Sequence, residues 1–326
     1  MKLTIGIPTY NRCNVITDAL DSVMSQVSAV EDVDVLVVDN ASTDRTADVV
    51  QMYRDRFGEK ISYRKNESNI GFAANVDTVV KASKGEYVLI LSDDDALEPG
   101  SVKYVLDMLN LYKVAVMFLR AEAWNCELSA PLRNRIGVQV PSGKVYANGS
   151  EYVLGEQAFP PGCISGYVVN REAWTKAFAL DFRETLVVQV LVALRMTRNS
   201  PVYASFLPHV RFRTENYNGD KTFYRVPLGL FRHRVEPLEG LVSACDGYPT
   251  ETLHILRRNA MRTIIYHLVV DDNQGVDFTE LERRVVVACG RVDMHTLIMS
   301  VLIRLPVRVL RICRAAMAIA RGRGLL

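Results

Sequence analysis

Short apolar runs separated by amphipathic stretches set the rhythm of the first 120 residues. The run "LTIGI" at residues 3–7 is followed by the turn "PTYNR", then by Val15, Ala19, Leu20, Val23 and Met24. That spacing places the five on one side of a helix. The run "VDVLVVD" (33–39) leads into "NASTD", rich in helix-capping side chains, and a helix expected from about Thr43 to Arg56. "ISYRKN" is a weaker strand, and "NIGFAANVDTVVKAS" reads as a loop and helix that Gly85 would end. "YVLIL" (87–91) is the next strand, "PGSVKYVLDMLNLY" opens a helix with proline near its first turn, and "VAVMFL" closes the series. "LTIGI" and "VDVLVVD" are short β-branched runs of the kind that buried parallel strands show. The alternation predicts an α/β body with a mostly parallel sheet and helices on both faces.

The pattern weakens between about Glu122 and Gly162. Helices are expected around Arg171–Phe178 and Thr185–Met196, and "RFRTENYNGDKTFYRV" reads as a polar, aromatic loop. From about Leu228 the chain is mainly helical and increasingly basic. The expected organisation is one α/β domain over residues 1–225, divided near residue 120, and a helical extension over 226–326.

Composition narrows the classes. A chain of 326 residues with 49% hydrophobic and 23% charged residues can bury a full core. Its net charge of +2 gives no sign of a nucleic-acid partner. Six cysteines at positions 13, 126, 163, 245, 289 and 313 form no C-x-x-C pair, so reduced thiols in a cytosolic compartment are expected, with no disulfide framework or zinc site. "MKLTIGIPTY" lacks the apolar region of a signal peptide and is better read as a first strand. No stretch supplies the roughly 20 uninterrupted apolar residues of a membrane span.

Two predicted strands end in acid, one at Asp39 and the other at Asp93, Asp94 and Asp95. In an open parallel sheet both ends would meet on the rim where ligands bind. If the backbone stays extended past Ser92, Asp93 and Asp95 point one way and Asp94 the other. Adjacent carboxylates repel, and a hard divalent cation shared with substrate phosphates would relieve that repulsion. Taken alone, the triplet also reads as a solvated turn capping the next helix.

"IPTYNR", "VVDNASTD", "NIGFAAN" and "LSDDDAL" occur in that order after successive strands. Together they closely resemble the inverting family-2 glycosyltransferases of the GT-A fold, of the bacterial surface-polysaccharide type. The resemblance covers about the first 120 residues. It departs at the last motif, where Ser92 stands in place of the first aspartate of the usual leucine–aspartate–x–aspartate–aspartate pattern. It implies a metal-dependent enzyme that moves a sugar from a nucleotide-sugar donor, UDP- or dTDP-linked before GDP-linked. The acceptor would be a lipid-linked or polysaccharide hydroxyl in envelope synthesis. The first 120 residues would then bind the donor, and residues 121–225 the acceptor.

Carried over motif by motif, the resemblance implies that Pro8, Thr9, Tyr10 and Arg12 line the base and ribose. Asp39 would accept a hydrogen bond from the base, and Asp44 and Asn75 would lie near the base or sugar. Asp94 would face the ribose or donor sugar, with Asp95 and then Asp93 holding Mn²⁺ or Mg²⁺. Asp44 read without the resemblance would simply favour its helix N-terminus. The family's general base is commonly the aspartate of a glutamate–aspartate pair opening a later helix. The matching stretch here is "FRETLVVQVLVALR", with Glu184 present and Thr185 in the aspartate's place. Glu184 or Asp181 is therefore the expected base, with Glu184 as a simple helix cap the alternative. Gln189 on that helix is expected to hold the acceptor. Gly162 and Gly166 in "PPGCISGYVVNREAW" would let backbone approach closely. His209, Arg211 and Arg213 would approach the diphosphate, since arginine suits phosphate geometry.

Two rival functions differ in class. A sugar-phosphate nucleotidyltransferase would carry a glycine-rich phosphate loop after the first strand, which "GIPTYNR" does not supply. A non-catalytic nucleotide-sugar-binding subunit is favoured only by the irregular "FRET" site. At the far end, no acidic residue follows Asp293, whereas Arg304, Arg308, Arg311, Arg314, Arg321 and Arg323 do. On a helix the first five share one broad face, so the tail is expected to lie in an anionic membrane surface on its cytoplasmic side. The alternative is a helix packed on the protein's own core.

Overall fold

The computed structural model describes residues 1–132, 143–156, 160–179, 182, 185, 187–214, 244–256 and 259. The chain divides into two units, Met1–Asp220 and Lys221–Leu326.

The first unit is built on one nine-stranded sheet. Its parallel part comprises β1 (Leu3–Thr9), β2 (Val33–Asp39), β3 (Ile61–Lys65) and β4 (Tyr87–Ile90), in the spatial order β3-β2-β1-β4. Every residue of β1, β2 and β4 is buried, as expected for central parallel strands covered on both faces. The connections carry α1 (Ile16–Val27), α2 (Thr46–Phe57) and α3 (Phe72–Ala82). On α1 the residues at helical spacing, Ile16, Ala19, Leu20, Val23, Met24 and Val27, are all buried. Each large one contributes about 1.5–3 kcal/mol through burial.

Beyond β4 the sheet becomes mixed. The remaining strands are β5 (Ala96–Leu97), β6 (Val116–Trp124), β7 (Lys144–Tyr146), β8 (Tyr167–Asn170) and β9 (Val202–Arg213). The helices α4 (Ser101–Leu111), α5 (Gly149–Glu156), α6 (Arg171–Ala177) and α7 (Val188–Thr197) lie between them in sequence. The "VAVMFL" strand does not pair with β4. Antiparallel β8, from 50 residues further on, lies between them, so β6 still runs in the direction of β4. β9 then pairs with β6 in parallel, with irregular register around Arg120.

Three local expectations change. Arg211–Arg213, expected within a loop, finish β9, because β6 and β5 pair with them. The helix expected from Thr43 begins at Thr46. Gly85 does not end α3, which is capped at Ser83. A Cβ at position 85 would lie 2.5 Å from the Thr4 nitrogen and 2.6 Å from the Tyr87 carbonyl oxygen, so close approach of β1 and β4 is what requires glycine there.

In the second unit a helix covers residues 250–256, with Thr252, Ile255 and Leu256 buried. Among the described residues no helix is long and apolar enough to cross a membrane. The basic tail lies outside the described residues.

Candidate active site

Register brings the acidic strand ends to one rim. Thr9 pairs with Asp39, Asp39 with Lys65, and Gly6 with Ile90, so Asp93 arrives level with Thr9 just past the end of β4. Tyr167 pairs with Ile90, which puts the turn before β8 on the same rim. Arg213, at the end of β9, reaches it as well, since Ala96 pairs with Arg211 and draws the acidic turn against that strand.

Asp39 is completely buried. One oxygen accepts the Ser42 N–H at 2.7 Å and the other the Tyr63 hydroxyl at 2.6 Å. An ionised carboxylate has about four acceptor sites, so it retains capacity for a ligand donor. Pro8 and Thr9 are buried in β1, while Tyr10 is 42% exposed on the loop beyond. Thr9, predicted to line the base, has a buried hydroxyl that faces the Asp93 carboxylate and favours its charged form. Asp44 accepts the backbone N–H groups of Thr46 at 3.0 Å and Cys13 at 3.1 Å. Burial works against its charge, but hydrogen bonds from Thr46 and Cys13 more than offset this and lower its pKa. Asp44 thus ties the β1–α1 loop to the start of α2. Asn75 is buried, donating to the Val38 carbonyl at 3.1 Å and accepting from Asn66 at 2.9 Å. Asn66 also donates to Asn40, whose side chain holds the Ile70 N–H and the Asn69 side chain. This asparagine network shapes the loop after β3.

The chain does not stay extended past Ser92. It turns, with the Asp95 N–H returning to the Ser92 carbonyl at 3.3 Å. Asp93 and Asp95 are nevertheless buried, at 7% and 1% exposure, and Asp94 is half-buried. Asp93 lies 3.5 Å from Arg12 Nε, so "PTYNR" does bring a cation to the triplet. Burial and the charge of Asp94 push Asp93 up to about 7 against the pull of Arg12. The same two causes raise Asp95 well above the ordinary carboxylate range. Asp95 accepts the Ser165 hydroxyl on Oδ2 and the Arg213 N–H on Oδ1 at 2.9 Å. Cys163 Sγ lies 3.9 Å from Oδ2. The guanidinium of Arg213 donates through Nε to the Asp94 carbonyl at 2.7 Å and through Nη2 to Asp18 of α1. Arg213, expected near a diphosphate, thus binds the acidic turn itself. Sequence alone could not reveal Asp18 or Ser165, since each acts through a partner more than 50 residues away.

The other expected residues are distributed as follows. Gly166 has φ +96°, and a Cβ there would meet the Leu119 carbonyl at 3.0 Å, whereas Gly162 faces open space. Gln189 is buried; its Nε2 donates to the Gly162 carbonyl at 2.7 Å and its Oε1 has no partner among the described residues. His209 packs against α4, stacked on Tyr104 with ring centroids 4.1 Å apart and Nδ1 3.2 Å from Ser101 Oγ. Arg211 pairs with Glu98 at 2.8 Å and covers the Trp124 ring. Thr185 is buried and its hydroxyl accepts the N–H of Val187, the residue before α7, at 3.1 Å. Asp181 and Glu184 lie outside the described residues.

Among the described residues no three or more His, Cys, Asp or Glu side chains form a preformed metal cage. The donor set nevertheless fits a hard divalent cation, which is usually held by one or two carboxylates together with substrate phosphates. Asp93 and Asp95 are buried carboxyls held above the ordinary range because little offsets their charge, so a cation arriving there would favour their ionised forms, and each keeps free lone pairs.

Residues 4–152 match the model of glycosyl transferase family 2. Residues 4–152 therefore form a family-2 glycosyltransferase domain. Abequosyltransferase RfbV of Salmonella typhimurium is 34% identical over 102 residues, 31% of each chain. The poly(ribitol-phosphate) beta-N-acetylglucosaminyltransferase TarS of Staphylococcus aureus is 30% identical over 126 residues, 38% of this chain and 22% of TarS. The chain thus spans about a third or less of these curated relatives. The crystal structure of TarS 1–349 with UDP-GlcNAc superimposes with a TM-score of 0.63 at 17% identity, over 89% of this chain and 80% of that one. A mannosyltransferase of Pyrobaculum calidifontis in complex with GDP-Man and Mn²⁺ gives 0.55 at 14% identity, over 99% and 86%. These likenesses establish the GT-A fold for the family-2 domain.

Proposed function

We propose that the protein is a metal-dependent inverting glycosyltransferase. It takes a sugar from a UDP- or dTDP-linked donor and attaches it to a hydroxyl of a lipid-linked or polysaccharide acceptor in bacterial envelope synthesis. The observation that carries this reading is the convergence of Asp39, Asp93 and Asp95 on one rim of the family-2 domain. The names of the relatives support the context, since TarS acts on poly(ribitol-phosphate) and was solved with UDP-GlcNAc.

In this reading Asp39 takes the N–H of the base, with Ser42 and Tyr63 holding its carboxylate in place. Tyr10 and Arg12, at the mouth of the rim, line the base and ribose. Asp95 and Asp93 would hold Mn²⁺ or Mg²⁺. Bound there, the ion would neutralise charge growing on the departing diphosphate. Asp94, half-exposed, faces the ribose or sugar. The unpartnered Gln189 Oε1 would accept from an acceptor hydroxyl, because a buried carbonyl without a donor costs about 1–3 kcal/mol. Glu184 or Asp181 removes that hydroxyl's proton as the oxygen attacks the anomeric carbon and the nucleoside diphosphate leaves from the opposite face. The acceptor would be presented at the cytoplasmic face of a membrane to which the basic tail binds.

One observation favours a second reading, a nucleotide-sugar-binding subunit without catalysis. Thr185 stands where the family has its base, and its hydroxyl is engaged by the Val187 N–H. A screen of nucleotide sugars for donor hydrolysis and transfer, with Mn²⁺ and with chelator, separates the two. Turnover that depends on metal supports the enzyme. Tight binding without any turnover supports the subunit, and full activity in excess chelator overturns the metal assignment.

A further inference from the structure

From the hydrogen bonds of the turn before β8, we infer that Ser165 is a positioning residue for the proposed metal and diphosphate site, aiming the carboxylate of Asp95. This rests on the reading above and adds a residue that the sequence alone does not single out.

Ser165 is 2% exposed, and its one hydroxyl touches both ends of the acidic turn. It accepts the Ser92 N–H at 2.9 Å and donates to Asp95 Oδ2. The Arg213 N–H holds the other oxygen, Oδ1, at 2.9 Å. With a strong donor on each oxygen, and the Cys163 thiol 3.9 Å from Oδ2 as a weak third, the carboxylate plane is fixed, and so are the directions of its remaining lone pairs. Without Ser165, Asp95 would keep only the Arg213 N–H and the weak, distant Cys163 thiol and could rotate about its last torsion, and the Ser92 N–H would lose its partner.

The support beneath Ser165 is rigid. The next residue, Gly166, sits at φ +96° with its N–H on the Ile90 carbonyl at 3.1 Å, and its carbonyl accepts the Leu119 N–H at 2.8 Å. The hydroxyl is therefore presented from a turn pinned to β4 on one side and β6 on the other. A ligand side chain locked by such a support is preorganised, and loss of the supporting bond typically weakens metal affinity about 10–100-fold.

The test uses the full chain with Ser165→Ala and, should that variant fail to fold, Ser165→Cys, which fills a similar volume with a poor donor. Binding of UDP is measured without metal and as Mn²⁺ is titrated, alongside the electron paramagnetic resonance signal of free Mn²⁺ and the melting temperature. The expected result is unchanged metal-free UDP binding, with apparent Mn²⁺ affinity reduced about tenfold or more. A parallel loss of metal-free and metal-dependent binding would make Ser165 merely structural and overturn the inference. Undiminished Mn²⁺ affinity in the variant would overturn it too, leaving the proposed function standing. A wild-type chain in which Mn²⁺ neither binds nor aids UDP would overturn both.

Discussion

Replacing Asp95 with asparagine should stabilise the protein while disabling the site. The side chain keeps its shape, so an amide oxygen can still accept the Arg213 N–H and the Ser165 hydroxyl can reorient toward the amide nitrogen. What disappears is a buried charge beside Asp93 and Asp94. At an effective dielectric of 20, carboxylates about 4–8 Å apart repel by about 2–4 kcal/mol. Arg12 beside Asp93 and partial protonation of the raised carboxyls offset much of that. A net gain of about 1–2 kcal/mol is left, which for a domain of this size raises the melting temperature by roughly 2–8 °C.

With Mn²⁺ and UDP the order should reverse. Ligand at about 100 times its dissociation constant adds about 2.7 kcal/mol to the wild type and little to the variant. Several kcal/mol of transition-state stabilisation go with the ion, so transfer should drop to about 1% or less. Differential scanning fluorimetry with and without Mn²⁺ and UDP, combined with a transfer assay, gives all three numbers. A variant that melts below the wild type and retains more than about a tenth of its activity would refute the charge argument and the metal role together.

Other expectations are equally direct. Glu184→Gln should lower turnover about 10²-fold or more with donor binding little changed, and if Asp181→Asn does so instead, Asp181 is the base; steady-state kinetics and donor titration decide. Burial lowers His209 to about 4 against an opposing pull from Glu98, so the unfolded chain takes up a proton below about pH 6.5 that the folded chain refuses until about pH 4. Stability should therefore be full above pH 6.5 and fall through that window, and His209→Gln should flatten the melting-temperature profile between pH 7 and pH 4.5; a profile unchanged by the substitution would refute the assignment. Gly166→Ala forces a side chain into φ +96° against the Leu119 carbonyl and should cost about 1–3 kcal/mol, read by denaturant unfolding. The full chain should sediment with anionic liposomes in a salt-sensitive way and a chain ending at Asp293 should not; equal partitioning would return the tail to a packing role.

What was legible in the sequence was whatever depends on neighbours along the chain. The apolar run of β2 ending at Asp39, the helical spacing from Val15 to Met24 and the acids after β4 each carry their signal within about a dozen residues. A parallel sheet then does the rest, because strands of this kind end on one rim. Pairings between distant segments left no such trace. Nothing in "YVVN" states that β8 will insert antiparallel between β4 and β6, since three apolar residues before an asparagine suit either direction. Arg211–Arg213 read as loop because their polarity is satisfied by Glu98, Asp94 and Asp18, all more than 100 residues away. The site follows the same rule. The carboxylates that would contact donor and metal stand at the ends of strands and were visible, whereas the groups that aim them, Ser165, Arg213 and Tyr63, come from other strands and loops. A motif in such a fold therefore marks the side chains that meet on the rim, while their orientation there is set by residues that only the folded sheet brings to them.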